Sequence, residues 1–315
     1  MNNTNSIQGQ DGGVSILLAT FNGERFFREQ LQSLENQTYG NWRLLISDDG
    51  STDATLEIVE EFRTGTTHTV EVIEGPRRGF VRNFLGMVAC ADRASAYYAF
   101  CDQDDIWDPD KLERAISWLS AQPVQTPALY CSRTRNIDEA GNTIGYSPLF
   151  SRPKNFTNAL VQSIAGGNTM VINSAAAELL RAFGTAIDVP SYDWWSYLVV
   201  TGCGGVVKYD PEPAIGYRQH AENLVGANTG LRALVKRLGM LNAGRFRFWS
   251  EQHIAALEPS SHLLTEENQA QFDRFRQIRS SAFPLNLYHL VKGGFYRQTL
   301  IGNIGLWVAV LFRKI

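Results

Sequence analysis

Apolar and polar positions follow two alternating periods through the first 120 residues of the chain. Strands are predicted at Val14 to Ala19, Arg43 to Ser47, Val70 to Ile73 and Tyr97 to Cys101, and the first is a near-continuous apolar run of the kind that is buried on both faces of a parallel sheet. Between and after them, apolar residues recur at helical spacing. These stripes are Phe27, Leu31 and Leu34; Leu56, Ile58, Val59 and Phe62; Phe80, Phe84, Met87, Val88 and Ala91; and Leu112, Ala115, Ile116 and Leu119. The alternation predicts an α/β fold with a parallel sheet and right-handed crossovers.

Turn and cap signals divide the rest of the chain. Asp108-Pro109 is typical of a helix start, with Asp as the cap and Pro in the first turn. Asp138 to Asn142 predicts a turn between short strands, and Ser174 to Phe183 predicts a helix. After Asn223 the sequence becomes basic, aromatic and helical. We therefore predict a disordered leader over 1–13, a main α/β domain over 14–225 and a helical extension over 226–315.

Composition restricts the class of protein. The chain has 315 residues, 44% of them apolar and 19% charged, with a net charge of −3, which is typical of a soluble globular protein and does not favour nucleic-acid binding. Cys90, Cys101 and Cys131 lie in apolar stretches and predict buried thiols in a reducing compartment. No run reaches the roughly 18–20 apolar residues of a spanning helix. We expect a cytoplasmic protein whose membrane contact, if any, is peripheral.

Two acidic clusters each follow a predicted strand. They are Ser47 to Asp53 and Asp102 to Asp105. Ligands of parallel sheets bind beyond the carboxyl ends of the strands, so both clusters are expected on one rim. Carboxylates this close repel one another, and a divalent cation such as Mg²⁺ or Mn²⁺ in an oxygen shell removes the repulsion. The alternatives are that Asp105 caps a helix, that Asp102 is solvated, and that the first cluster is an ordinary turn.

Taken together, the strand ends resemble a known family. The chain has Thr20-Phe21-Asn22-Gly23-Glu24, then Ser47-Asp48-Asp49-Gly50-Ser51-Thr52-Asp53, then Asp102-Gln103-Asp104-Asp105-Ile106-Trp107. This layout resembles family-two glycosyltransferases from about Val14 to His220. The resemblance implies a GT-A fold, with a mainly parallel sheet flanked by helices and a C-terminal helical extension. It also implies an inverting, Mn²⁺- or Mg²⁺-dependent transfer of sugar from a nucleotide-diphosphate donor.

The resemblance assigns the first two segments to the nucleotide. Thr20, Asn22 and Glu24 match the first-loop positions that hold it. Asp49, with Asp48 beside it, matches the acid that hydrogen-bonds the pyrimidine base, and a carboxylate suits a ring N–H donor.

The next two segments match the rest of the donor site. Arg82 and Asn83 correspond to a further nucleotide-side segment, although Asn83 is also compatible with a polar helix face. Asp102 and Asp104 match the metal motif. Asp104 is the expected main ligand, and Asp102 is expected to ligate the metal or to favour the ribose.

Glycosyl transfer also needs a base, because the acceptor hydroxyl must lose its proton as it attacks the anomeric carbon. The family places an acid just ahead of a helix, and Asp193 in Ser191-Tyr192-Asp193-Trp194-Trp195 is the candidate in that stretch. Flanking aromatics would desolvate the carboxylate and raise its pKa. The alternative is that Asp193 is the N-cap of the helix through Trp195 to Val200.

Two further segments resemble a narrower group, the rhamnosyltransferases of surface-polysaccharide synthesis. Gly166-Gly167-Asn168-Thr169 resembles the loop that contacts donor sugar and acceptor, which assigns Gly167 and Asn168 to the donor site. Tyr217-Arg218-Gln219-His220, with Asn223 and Gly226, resembles the signature that closes over the diphosphate. The resemblance implies dTDP-L-rhamnose as donor and a glycan or lipid-linked acceptor. His220 is then a candidate metal ligand, and Arg218 a candidate partner of phosphate oxygens.

The C-terminal stretch mixes basic and aromatic residues with leucines over Leu231 to Arg247 and Asn286 to Ile315. We favour a helical cap packed on the catalytic domain. The second interpretation is a surface that rests on the inner leaflet of the membrane, where lipid-linked acceptors lie.

Three other functions were weighed. A sugar-phosphate nucleotidyltransferase would have a glycine-rich loop after the first strand, where this chain has Ala19-Thr20-Phe21-Asn22. A dinucleotide dehydrogenase would have G-x-G-x-x-G after a strand. A non-catalytic glycan-binding or assembly protein on the same fold remains the alternative, because fold alone does not fix function.

Overall fold

The computed structural model describes residues 12–220 and 244–315. Its main sheet has seven strands in the order β10-β6-β9-β4-β1-β2-β3. These strands are β1 Val14–Thr20, β2 Trp42–Asp48, β3 Val70–Glu74, β4 Tyr97–Cys101, β6 Ala128–Ser132, β9 Val171–Asn173 and β10 Val206–Asp210. Only β9 runs antiparallel to its neighbours β4 and β6, so the predicted mainly parallel α/β sheet is confirmed.

Helices cover both faces of this sheet, as the apolar stripes predict. They are α1 Glu24–Glu35, α2 Thr55–Gly65, α3 Phe80–Cys90, α4 Lys111–Leu119, α5 Phe156–Ala159, α6 Ser174–Phe183 and α7 Tyr192–Gly202. Along β1, Ile16 and Leu18 face the core with α1 and α4, while Leu17 faces the core with α3, α6 and α7. Because both faces are buried, β1 needs the near-continuous apolar run seen in the sequence.

A smaller four-stranded sheet, in the order β5-β11-β7-β8, lies beside the first. Its strands are β5 Ile106–Trp107, β7 Arg135–Ile137, β8 Thr143–Tyr146 and β11 Ile215–Arg218. The predicted turn at 138–142 joins β7 to β8, with the Gly141 N–H donating to the Asp138 carbonyl. The predicted cap at Asp108 is wrong, because α4 begins after Asp110 and the Asp108 carboxylate pairs with Arg135 at 2.6 Å.

The C-terminal region is helical. Beyond residue 243 it contains α8 Arg245–Leu257, a 3₁₀ segment Glu258–Leu263, α9 Glu266–Ser280, α10 Leu285–Gly293 and α11 Leu300–Leu311. Phe246, Phe275 and Leu306 join the same apolar core as α3, α6 and α7, so these helices pack on the main α/β domain as the favoured interpretation predicts. The predicted leader up to residue 11, the boundary near 225 and the signature residues Asn223 and Gly226 lie outside the described residues.

Two further expectations concern thiols and membranes. Cys101 and Cys131 are buried and unbridged, but Cys90 is exposed at the end of α3, so the prediction of a buried thiol there is wrong. An amphipathic helix leaves one face to solvent, and Cys90 lies on that face. Within the described ranges, no helix has both the length and the apolar character needed to cross a bilayer.

Candidate active site

The carboxyl ends of β1, β2 and β4 meet at one rim because β1 pairs in parallel with both of its neighbours. Gln103, just after β4, ties two of these ends together. Its Oε1 accepts hydrogen bonds from the Thr20 hydroxyl and the Phe21 N–H at 2.8 Å each, and its Nε2 donates to the Phe21 carbonyl. The two acidic clusters therefore lie on the same edge of the sheet, as their positions in the sequence predict.

The loop after β1 is held by hydrogen bonds to the end of the first acidic cluster and the residue after it. Asn22 adopts a left-handed conformation with φ of 48°, which Asn tolerates better than most residues, and its Oδ1 accepts from the Thr52 N–H at 2.8 Å. Glu24 accepts from the Ala54 N–H, while the Glu24 N–H donates to Asp53. In this conformation Asn22 and Glu24 hold the two loops against each other, and their contact with a nucleotide stays a prediction.

Asp48 and Asp49 have different environments. Asp48 is buried, and its carboxylate accepts from the backbone N–H groups of Gly50 and Ser51. These hydrogen bonds show that the Asp48 carboxylate stabilises the turn after β2. Asp49 is partly exposed and accepts from the Arg77 N–H through Oδ1. Of the two, Asp49 is the one whose carboxylate is accessible to a ligand at the rim.

Arg82 and Asn83 lie in the first turn of α3. Arg82 forms an ion pair with the exposed Asp188 at 2.8 Å and lines a shallow cavity of about 230 Å³. Asn83 is buried and its amide donates to the Ser47 carbonyl at 3.3 Å, so the polar helix face suggested as its alternative is not exposed. Its Oδ1 has no hydrogen-bond partner among the described residues.

Three carboxylates follow β4, and burial dominates their chemistry. Burial raises the pKa of Asp102 to about 7, and the charges of Asp104 and Asp193 add to the effect. Asp105 is fully buried, which raises its pKa well above the usual range. Its carboxylate accepts from the Asn168 amide at 2.5 Å and from the Arg218 N–H at 3.1 Å. The helix-capping alternative for Asp105 is therefore wrong, whereas Asp102 keeps part of its surface accessible to solvent.

Asp193 enters this cluster from the other half of the domain. It lies in the first turn of α7, whose N-cap residue is Ser191, so the N-cap alternative for Asp193 is wrong. Burial raises the pKa of Asp193, while hydrogen bonds from Ser191, the Trp194 N–H and the Gly167 N–H oppose that shift. A carboxylate with a raised pKa next to a backbone loop has the character expected of a general base.

Tyr192 connects Asp193 to the acidic cluster and was not singled out in the sequence. Its ring stacks on Phe84 with centroids 4.0 Å apart, and its side chain opposes the upward shift in the pKa of Asp102. A Cβ at Gly167 would lie 2.1 Å from the Tyr192 hydroxyl, so only glycine permits this approach. The sequence signal was the aromatic residue directly before the candidate base.

Arg218 and His220 at the end of β11 contact the acidic loop directly. The Arg218 side chain is fully buried; its Nε donates to the Asp104 carbonyl at 2.9 Å, and its Nη2 pairs with Glu29 at 2.6 Å. In this conformation the guanidinium contacts protein groups, so its predicted pairing with phosphate would require a rearrangement. His220 Nε2 lies 2.8 Å from Asp104 Oδ2, which places two of the three candidate metal ligands side by side.

We expect Arg218→Met to lower the free energy of unfolding by about 2 kcal/mol or more. The substitution removes the donor to the carbonyl oxygens of Asp104 and Glu139, and each such loss costs about 1–3 kcal/mol. Urea titration measures the change. Glu29→Gln is the matched control and should cost less than about 1 kcal/mol, because Glu29 is 56% exposed. An unchanged urea midpoint with weaker donor binding would instead support a phosphate role for Arg218.

Lys111 is a buried lysine near the acidic cluster that sequence reasoning missed. Its Nζ lies 3.3 Å from the centroid of the Trp107 ring, and burial lowers its pKa to about 7 although Cys101, Asp105 and Asp102 favour the charge. Its position four residues before Ala115 and eight before Leu119 in the core stripe of α4 was the available signal. Because lysine is rarely buried unless it is paired, a lysine at a core-facing helix position predicts acidic groups nearby.

The donor atoms at the rim suit a hard divalent cation. Within 12–220 and 244–315, no group of three or more His, Cys, Asp or Glu side chains forms a ready-made metal cage. Mg²⁺ and similar ions are commonly held by one or two carboxylates and completed by substrate phosphates. Asp102 and Asp104 supply such a pair. Burial first, and then the charges of Asp104 and Asp193, raise the pKa of Asp102, and a bound cation would offset the repulsion between these charges.

Comparison with known proteins agrees with this geometry. The family described as glycosyl transferase family 2 matches residues 15–180, more than half of the chain. The dTDP-rhamnosyl transferase RfbG of Shigella flexneri is 30% identical over 244 residues, which cover 73% of this chain and 81% of that protein.

Solved structures show the same fold. Staphylococcus aureus TarS 1–349 in complex with UDP-GlcNAc has a TM-score of 0.53 and 16% identity, covering 86% of this chain and 93% of that one. Mannosyltransferase PcManGT of Pyrobaculum calidifontis, in complex with GDP-Man and Mn²⁺, has a TM-score of 0.50 and 17% identity, covering 96% and 86%. At these identities the likeness establishes the GT-A architecture.

Proposed function

This chain belongs to glycosyl transferase family 2, and we propose that it is an inverting, metal-dependent rhamnosyltransferase that uses dTDP-L-rhamnose. The acceptor would be a glycan or lipid-linked saccharide of surface-polysaccharide synthesis. The donor assignment is supported by the name of the Shigella relative and by the Tyr217 to His220 signature. The observation that carries the proposal is that Asp193, in the first turn of α7, is near enough to Asp102 at the end of β4 to raise its pKa, as Asp104 does.

The donor would lie across the carboxyl ends of β1, β2 and β4. Asp49 is the rim carboxylate that suits a pyrimidine ring N–H, because a carboxylate accepts but does not donate. Asp102 and Asp104 would hold a divalent cation on the diphosphate, with His220 beside Asp104. When bound, that cation supplies positive charge to the leaving nucleotide diphosphate.

Asp193 would take the proton from the acceptor hydroxyl. As the proton leaves, the acceptor oxygen bonds to the anomeric carbon, and the bond from that carbon to the diphosphate oxygen breaks. One displacement inverts the anomeric centre, so a β-linked donor gives an α-linked product. Tyr192 would orient Asp102, and the backbone at Gly167 would orient Asp193.

The nucleotide preference tests the donor site. We expect thymidine and uridine diphosphates to bind at least about tenfold more tightly than guanosine diphosphate, because a purine lacks the N–H placement that Asp49 would read and one such contact is worth about 1–3 kcal/mol. Calorimetry with each nucleotide in Mn²⁺ measures the difference.

Asp49→Asn and Glu57→Gln serve as the variant and its control. Asp49→Asn should reduce the preference for pyrimidine over guanosine diphosphates, whereas Glu57→Gln, at an exposed position of α2, should leave that preference unchanged. Turnover with guanosine-linked sugars but not with pyrimidine-linked ones would refute the donor. A chain that binds donor yet never hydrolyses or transfers it with Mn²⁺ or Mg²⁺ would be a binding protein instead.

A further inference from the structure

The helix α11 is apolar on both of its faces, yet only one face is buried. Leu306, Ala309 and Val310 pack into the core. The opposite face presents a stripe of large apolar side chains that are 44–79% exposed: Leu300, Ile301, Ile304, Trp307, Val308 and Leu311. No charged residue occurs in Leu300–Leu311. A helix that is hydrophobic all round normally has both faces covered, so this face is expected to have an occupant.

The neighbouring helix carries a second set of exposed apolar side chains. On α10, Leu285, Tyr288 and Val291 are 57–61% exposed, and their spacing places them on one side. The two helices pack together, with the Asn286 amide donating to the Val310 carbonyl at 2.9 Å. Ordinary monomers expose large apolar residues singly, whereas a row on two packed helices marks an interaction site. We call these nine residues the apolar face.

The charge around the apolar face identifies its partner. Residues 280–315 contain four Lys and Arg residues and no Asp or Glu, which gives a formal charge of +4 within a chain whose total is −3. Lys292 near the end of α10 and Arg313 just after α11 are both exposed. The basic charge therefore flanks an uncharged apolar stripe that includes a tryptophan. That is the arrangement of a helix lying in the interface of an anionic bilayer.

We propose that the apolar face docks on an anionic lipid surface, with α11 lying in the plane of the interface. A twelve-residue helix is too short to span, so its apolar side chains enter only the outer part of the acyl region. Trp307 suits that depth, because its ring is apolar and its N–H can remain among the headgroups. This docking would bring the enzyme to a membrane surface and is independent of the donor and acceptor proposed above.

Sedimentation of the full chain with vesicles tests the proposal. The chain should co-sediment with vesicles containing phosphatidylglycerol and much less with phosphatidylcholine alone. Ile304→Ser with Trp307→Ser should lower the partition coefficient between vesicles and water by at least about tenfold, because each change removes an apolar side chain that the bilayer would bury. Lys292→Gln with Arg313→Gln should lower it by about fivefold for each charge, on anionic vesicles at low salt.

The control changes equally exposed apolar residues elsewhere. Val124→Ser with Ile144→Ser, at 59% and 60% exposure, should sediment like the parent chain. Thermal melting and donor binding should match the parent for every variant. Leu300→Ser with Ile301→Ser provides a second test pair, because these side chains are 79% and 62% exposed and contact the core least.

Two results would overturn the proposal. The first is sedimentation with anionic vesicles that is absent or that none of the variants alters. The second is a parent chain that is dimeric by light scattering, does not bind vesicles, and becomes monomeric when Ile304 and Trp307 are changed. A second copy of the chain would then cover the apolar face.

Discussion

Asp193→Asn is expected to lower kcat by about 10²–10⁴-fold while the fold and donor affinity stay unchanged. The amide is nearly isosteric and its oxygen can still accept from the Trp194 N–H, which donates to Asp193 Oδ1 at 2.6 Å. It cannot take the proton of the acceptor hydroxyl. Single-turnover transfer together with donor calorimetry separates the chemical step from binding.

The control for Asp193→Asn is Asp273→Asn, which removes a carboxylate that is 64% exposed in the C-terminal region. That variant should turn over like the parent. The base must be ionised to accept a proton, and burial raises the pKa of Asp193 above the usual Asp value of about 4. The parent's activity should therefore fall as the pH drops through that raised pKa. Turnover of Asp193→Asn within a few-fold of the parent would reject the assignment, and a product with retained configuration would reject the inverting mechanism.

Asp104→Ala is expected to abolish metal-dependent donor binding. Asp104 is the main carboxylate proposed to join the cation to the diphosphate, and its loss would leave only Asp102 and His220 as candidate ligands. In calorimetry with Mn²⁺, the donor should bind the variant no better than it binds the parent after chelation of the metal. The fall in affinity should be at least about 10²-fold, since paired charges at such sites are worth several kcal/mol.

Asp110→Ala is the matched control for Asp104→Ala, because Asp110 belongs to the same segment but is 53% exposed and borders the start of α4. It should bind donor and metal like the parent. Unchanged donor affinity in Asp104→Ala would exclude this residue as the metal ligand. Equal losses in both variants would point to damage of the loop rather than of the site.

Local patterns in the sequence predicted the order of elements and the rim of the site. The run Tyr97 to Cys101 is a strand with the predicted bounds, and Ser174 to Phe183 is a helix with the predicted bounds. Both follow from side-chain periodicity, which the chain expresses within ten residues. The position of the site at one rim also follows from the sequence, because the loops after parallel strands joined by crossovers lie on the same edge of the sheet.

The tertiary structure alone decided the surroundings of each candidate. Arg218 contacts protein groups because β11 lies between β5 and β7. These two strands are about 80 to 110 residues before β11 in the chain. The burial of Asp105 depends on Asn168 from a loop beyond β6, and the position of Asp193 depends on Tyr192 stacking on Phe84 of α3. No local pattern encodes those distances.

The same division explains the C-terminal helices. The sequence alone predicts their helical character and basic charge, since both depend on residue type. Because the twelve residues of α11 are nearly all apolar, periodicity does not tell a buried side from an exposed one. Only packing against α10 and the catalytic core fixes which side is left in solvent, since that choice is set by contacts between segments far apart in the chain.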